Sequence, residues 1–284
     1  NSGGLGLIGA GSMYPEVLQE HIRKCKVATS KPFGVNVPLL YPQTDELIQI
    51  ILRENVPIIF TSAGNPAKYT GLLKSNGRKV VHVIANQKFA LKAAEAGVDA
   101  IVAEGFEAGG HNGIEETTTM TLIPLIKQSV SIPVIAAGGI ATGRQMLAAL
   151  ALGADGVQIG SRFVTATESS AHEEFKQAVI AAGDGATMLS MKQLIPVRLL
   201  KNAFYDQVRA AELAGADPDM LKEILGRARA KKGMFEGDLN EGELEIGQVA
   251  ALISEEKATA EIITDLLTEF YEARKKLSQE QYNF

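Results

Sequence analysis

Apolar runs of strand length recur along the chain, at residues 5–9, 33–38, 58–63, 79–85, 100–104, 134–138 and 157–163. Most are continuously apolar and do not alternate, the pattern of parallel strands covered on both faces. Between them lie stretches with the apolar spacing of helices, at 15–26, 44–54, 66–75, 87–96, 118–129 and 143–152. Repeated strand–helix units predict an α/β fold, either a TIM (β/α)8 barrel or a doubly wound sheet. Seven strands are one short of a closed barrel. The first run opens almost at residue 1. The expectation is therefore a barrel whose first strand and helix precede the numbered chain, with an open seven-stranded sheet as the alternative.

After residue 163 the pattern changes. Residues 173–182, 193–204 and 205–215 read as helical, and Asp217-Pro218 signals a helix start for 217–232. No clear strand is visible there, so a small helical subdomain is expected. Residues 233–245 are rich in glycine and acid and read as a loop, while 246–253 and 259–277 carry amphipathic helical spacing. The tail 279–284 is polar and expected to fray. The predicted organisation is a barrel over 1–186, a helical subdomain over 187–244 and helices over 245–284 that return to the barrel.

The 284 residues suit one large α/β domain or two ordinary ones. A net charge of -5 and the lack of a basic stripe argue against nucleic acid as a partner. The longest apolar runs are of strand length, so no membrane span is predicted. The single cysteine, Cys25, fits a reducing, cytoplasmic setting and reads as a bystander thiol on a polar helix.

Chemistry concentrates at strand ends. His111 closes Glu104-Gly105-Phe106-Glu107-Ala108-Gly109-Gly110-His111, directly after the run ending at Glu104. In parallel α/β folds the carboxyl ends of strands carry the site, and histidine titrates nearest neutrality. Two glycine turns follow the last two runs, Gly138-Gly139 and Gly160-Ser161. Loops after strands seven and eight of a barrel often bind phosphate through backbone N–H groups. Asn36 interrupts a strand and either meets a ligand or satisfies core backbone. Glu104 either holds a ligand or forms an ion pair. His82, inside an apolar strand, reads as a satisfied core histidine; His172 opens a helix. No grouping has the spacing of a transition-metal site, so no metal is predicted.

These segments resemble the FMN-dependent enoyl-ACP reductase II and nitronate monooxygenase superfamily, over residues 3 to about 260. The specific part is Glu107-Ala108-Gly109-Gly110-His111-Asn112-Gly113, joined by Phe33 through Val37, Ala136 through Ile140 and Gln158 through Phe163. The resemblance implies an FMN-binding TIM barrel with a helical subdomain. Asn36, Glu104 and Gly109 would lie at the flavin; Gly138, Gly139, Gln158, Gly160 and Ser161 would hold the ribityl phosphate; His111 would be catalytic. Family members also carry a Gly-Gly-Met loop that contacts FMN, which this chain does not contain.

Ala103-Glu104-Gly105 followed by Glu-Ala-Gly-Gly-His is the reductase pattern, whereas nitronate monooxygenases usually have glutamine at the position of Glu104. The resemblance thus implies reduction of a trans-2-enoyl-acyl carrier protein by NAD(P)H through FMN. Oxidation of alkyl nitronates with oxygen is the alternative, and a non-catalytic FMN or phosphate-ligand binder the weaker one. Arg198, Lys201, Arg227, Arg229, Lys231 and Lys232 are either a docking face for the acidic carrier protein or a solvated helix face. A homodimer also stands among the expectations.

Overall fold

The computed structural model describes residues 1–11 and 13–279; most of the tail expected to fray lies outside them. In chain order the strands are β1 (Leu7–Gly9), β2 (Gly34–Pro38), β3 (Ile58–Ser62), β4 (Lys79–Ile84), β5 (Ala100–Glu104), β6 (Gly110–His111), β7 (Val134–Ala137), β8 (Gly156–Gln158), β9 (Thr187–Ser190) and β10 (Val197–Leu200). The chain divides into two compact units, residues 1–103 with 124–135, and 104–123 with 136–284.

The first unit is a parallel sheet wound with helices. Its strands neighbour one another in the order β1-β2-β3-β4-β5, followed by the start of β7. Leu7 stands opposite Gly34, Val35 opposite Ile59, Val81 opposite Ala100. Val35, Ile59, Val80 and Ile101 are fully buried, as continuous apolar runs require when both faces are covered. Helices Pro15–Ala28, Thr44–Arg53, Ala67–Ser75 and Gln87–Glu95 supply the cover. Asn86 caps the last of these by accepting from the Phe89 amide at 2.8 Å. The alternation is that of the predicted α/β barrel class.

His82 belongs to this interior. It is 3% exposed, and its Nδ1 lies 2.7 Å from the Thr61 hydroxyl one strand away. Burial lowers its pKa to about 4. The core reading of this histidine is therefore the observed one. Cys25 is half-buried on the first helix, and burial pushes its thiol upward, away from nucleophilic reactivity.

The second unit carries the end of β7 and its neighbour β8, together with a three-stranded sheet in the order β6-β10-β9. Both pairings of β10 are antiparallel. This corrects the expectation of an all-helical region and of a helix over 193–204. Val197, Leu199 and Leu200 are buried side chains, each stabilising by roughly 1.5–3 kcal/mol. They pack into two apolar clusters, one around Phe204 and Val208, the other around Phe175 and Ile246. A long helix register would have turned part of this run to solvent.

Three further boundaries differ from the sequence reading. The strand expected over 157–163 ends at Gln158, and Ser161–Val164 is a short helical turn. The helix opened by Asp217, which accepts from the Asp219 and Met220 amides, stops at Leu225. Gly226 follows at φ 62 and Ala228 at φ 59, and a separate helix runs Arg229–Met234. The helix expected over 246–253 is only a 3-10 turn, Gln248–Leu252, because Gly247 is tied down elsewhere. Thr259–Leu277 is helical as expected. No helix among the described residues is long and apolar enough to cross a membrane.

Candidate active site

The site is built on two strand ends of the second unit. After Glu104 the chain turns sharply: the Gly105 amide donates to the Ala137 carbonyl at 2.8 Å and the Ala108 amide to the Gly105 carbonyl at 3.1 Å. Gly138 and Gly139 leave β7 with φ of 84 and 71, the left-handed region that only glycine enters freely. A Cβ on Gly138 would stand 2.5 Å from the Gly105 carbonyl oxygen. Thr119 locks the two loops together. Its hydroxyl donates to the Gly138 carbonyl at 2.8 Å, and its amide donates to the Glu107 carboxylate at 2.9 Å.

A distant segment forms the facing wall. The Gln248 amide donates to the Glu107 carbonyl and the Gly247 amide to the Ser161 hydroxyl, each at 2.9 Å. Gly109 allows this approach, since a Cβ there would lie 2.5 Å from the Ile246 carbonyl carbon. Between these walls is a cavity of about 220 Å³. Glu104, Gly109, Gly138, Gly139, Gln158, Gly160 and Ser161 all line it. So do Glu107, Met234, Glu245, Ile246 and Val249, which sequence reasoning did not select. The Gly247 step inside an otherwise apolar stretch was the one available signal. A larger open groove of about 470 Å³ runs along the helix Pro15–Ala28 of the first unit. No strand-end residue lines it.

Polar groups in the cavity are left wanting. Among the described residues, Gln158 Oε1 is buried without a hydrogen-bond partner. Glu104 forms no ion pair among the described residues, and burial pushes its carboxyl to about 7. A carboxyl raised this far can keep its proton near neutrality and donate it in a hydrogen bond. Asn112 donates to the Ala108 and Gly110 carbonyls at 2.9 and 3.0 Å, while its Oδ1 has no partner. His111 is exposed; its backbone pairs with Val197, and it is not itself a lining residue. The preceding Gly110, at φ 74, abuts the carboxylate of Glu245. Asn36 lies in the first unit, its Oδ1 also buried and unpartnered.

Unpartnered Gln158 Oε1 needs a donor, Gly160 faces open space, and the Ser161 hydroxyl still has its proton to give. A cavity of this size is below the roughly 300–1,000 Å³ of a whole ligand site and suits one end of FMN. Gly160 and the Ser161 hydroxyl suit its phosphate end, and the Gln158 oxygen suits a ribityl hydroxyl, which has a proton to donate.

Arg198 departs from its assigned place on a basic face. It is 2% exposed in β10, stacked 4.5 Å from the Phe106 ring, with Nε donating to the Phe106 carbonyl at 3.1 Å. Arg229, Lys231 and Lys232 pair with Glu241, Glu236 and Asp238.

A strand-end cavity with glycine-rich walls and a buried acid, beside a histidine loop, is a candidate ligand site on an α/β-barrel fold. The chain belongs to the nitronate monooxygenase family, whose model matches residues 1–48 and 41–269. It is 37% identical over 216 residues to (3aS,4S,5R,7aS)-5-hydroxy-7a-methyl-1-oxo-octahydro-1H-indene-4-carboxyl-CoA dehydrogenase of Rhodococcus jostii, covering 76% of this chain and 60% of that protein. The chain thus spans about three fifths of that curated relative. A probable nitronate monooxygenase of Staphylococcus haemolyticus is 35% identical, over 67% of this chain and 66% of that one. FabK from Thermotoga maritima superposes with a TM-score of 0.92 at 43% identity, covering 97% of this chain and 88% of that chain. Nitroalkane oxidase from Streptomyces ansochromogenes gives 0.82 at 27% identity, covering 98% and 91%. Family members are flavin-dependent oxidoreductases.

Proposed function

We propose that this chain reduces trans-2-enoyl thioesters carried on acyl carrier protein, using NAD(P)H and FMN. The observation that carries the reading is Glu104, a cavity-lining carboxyl held near 7 at the root of the His111 loop. Its sequence context is the reductase pattern, and the structural likeness to FabK, an enoyl-ACP reductase II, supports it. A relative whose name includes carboxyl-CoA is in line with thioester chemistry.

FMN, when bound, supplies hydride transfer between the nicotinamide and the enoyl β-carbon. The chain does the rest. Gly138, Gly139, Gly160 and Ser161 offer backbone and hydroxyl donors for the phosphate, and Gln158 accepts from the cofactor's polar edge. Gly109 is assigned to the flavin. Glu104 in its protonated form donates a hydrogen bond into the cavity. His111 gives its proton to the substrate α-carbon as general acid, a role worth roughly 10²–10⁴-fold. Lys201 and Arg227 remain exposed to meet an acidic carrier; a homodimer and a cytoplasmic setting belong to the same reading.

Oxidation of alkyl nitronates is the second reading, favoured by the family model. An anaerobic titration separates them. Reoxidation of the NADH-reduced flavin by crotonyl thioester supports the reductase; nitronate-dependent oxygen uptake without NADH, and no thioester response, sinks it. If His111→Ala keeps FMN and full turnover, the general-acid role is lost.

A further inference from the structure

Two glycines stand in front of His111. Gly109 and Gly110 have no Cβ to confine them, and Gly110 sits at φ 74. Such a step is a swivel unless something holds its ends. The His111 imidazole is exposed, so its place depends on the backbone that carries it. The residue after it supplies the hold. The Asn112 side-chain amide donates to the Ala108 carbonyl at 2.9 Å and to the Gly110 carbonyl at 3.0 Å, the two peptide groups that bracket the Gly109–Gly110 step. Ala108 and Gly109 line the cavity, while Gly110 and His111 form β6. One side chain thus ties the cavity wall to the strand that carries the histidine.

The backbone of Asn112 is fixed from the other direction. Its N–H donates to the Pro196 carbonyl at 2.8 Å, and Val197, next along that segment, pairs with His111. The peptide before His111 is therefore held at the Gly110 oxygen and the peptide after it at the Asn112 nitrogen. These bonds also settle which way the side-chain amide faces: turned over, Oδ1 would meet two carbonyl oxygens. Oδ1 itself is buried with no partner among the described residues. A stranded acceptor offsets the gain of the two hydrogen bonds, so stability alone gives little reason for this residue.

We propose that Asn112 is the positioning residue for His111: its side-chain amide clasps the Gly109–Gly110 step and fixes where the imidazole is presented relative to the cavity wall. The inference rests on His111 as the proton donor of the reading above. Its test uses the FMN-loaded protein. Asn112→Asp keeps the outline of the side chain but, ionised, has no hydrogen to give, and its charge faces the Ala108 and Gly110 oxygens. The first readout is independent of turnover: protection of the backbone N–H of residue 112 against hydrogen exchange, followed by NMR. Protection falls by about tenfold in Asn112→Asp, because the bond to Pro196 opens with the loop. Unchanged protection overturns the proposal. The second readout is stopped flow on the two half-reactions. Reoxidation of the reduced flavin by crotonyl thioester slows by roughly tenfold more than flavin reduction by NADH, since only the former draws on His111. Asn112→Ser, which keeps one donor, falls between Asn112→Asp and wild type. Equal slowing of both half-reactions marks a residue that only holds the fold and overturns the role, as does reoxidation at the wild-type rate. If Asn112→Asp does not fold, Asn112→Ser decides on the same two readouts. If the wild-type reduced flavin ignores crotonyl thioester, the substrate assignment falls, and the exchange readout stands or fails without it.

Discussion

The two units treat buried polar groups in opposite ways. In the first, His82 is sealed between strands, bonded to Thr61 and kept neutral. In the second, the cavity holds a Gln158 oxygen with no partner and a Glu104 carboxyl near 7 with no counter-ion among the described residues. An unsatisfied buried polar group costs roughly 1–3 kcal/mol. The sheet interior avoids that cost, and the cavity accepts it where a ligand would offset it. Among the described residues Asn36 Oδ1 and Arg78 Nε are exceptions in the first unit, and Asn36 is one that the family resemblance assigns to the flavin.

The largest blow to this contrast would come from Gly109→Ala. Its Cβ has no space against the Ile246 backbone, so the wall must move. Overpacking costs about 1–3 kcal/mol or more, and a urea melt should show that loss together with loss of FMN binding. Retention of both would mean the wall yields easily.

The pH dependence of stability separates the units next. The His82 pKa is lowered on folding from 6.5 to about 4, so the unfolded chain binds the extra proton. Its contribution is intact above 6.5 and is lost as pH falls toward 4, by about 3 kcal/mol. Glu104 is raised from 4.5 to about 7, so the folded chain binds the extra proton. Its contribution is intact below 4.5 and is lost as pH rises through 7, again by about 3 kcal/mol. Denaturant midpoints across pH 4–8 in the FMN-free protein should therefore show Glu104→Gln reducing the decline on the alkaline side only, with the part due to Glu243, also raised to about 7 by burial, left in place. Should Glu104→Gln follow the wild-type curve, the carboxyl is not buried as described.

Smaller effects test the partners singly. Thr61→Val strands His82 Nδ1 and should lower stability by about 1–3 kcal/mol at pH 7, read from thermal melts. Gln158→Met removes an acceptor that has no partner, so stability should hold or rise by less than about 1 kcal/mol while FMN affinity falls by roughly tenfold. Equal FMN affinity in both proteins would take Gln158 out of the cofactor site.

Strands β2 to β5 were legible because a strand covered on both faces announces itself as an uninterrupted apolar run. The residues 104–111 and the two glycine turns were legible because a chain that leaves a strand sharply needs glycine. What was hidden depends on pairings between remote residues. Nothing local in Val197-Arg198-Leu199-Leu200 says that its partners are Gly110 and His111, and a buried arginine masqueraded as a surface charge. Glu245 and Ile246 were hidden for the same reason: glycine- and acid-rich composition reads as loop, and only the docking of Gly247 on Ser161 gives it a function.

That docking also fixes an order of assembly. The Gly247–Ser161 hydrogen bond spans 86 residues of chain. Contacts so far apart in sequence form late, because the intervening chain must be organised before its ends can meet. A nascent chain released as far as Val164 already has the glycine turns but not the wall that faces them. The cavity closes only when residues 245–248 arrive, so cofactor capture should be among the last events of folding.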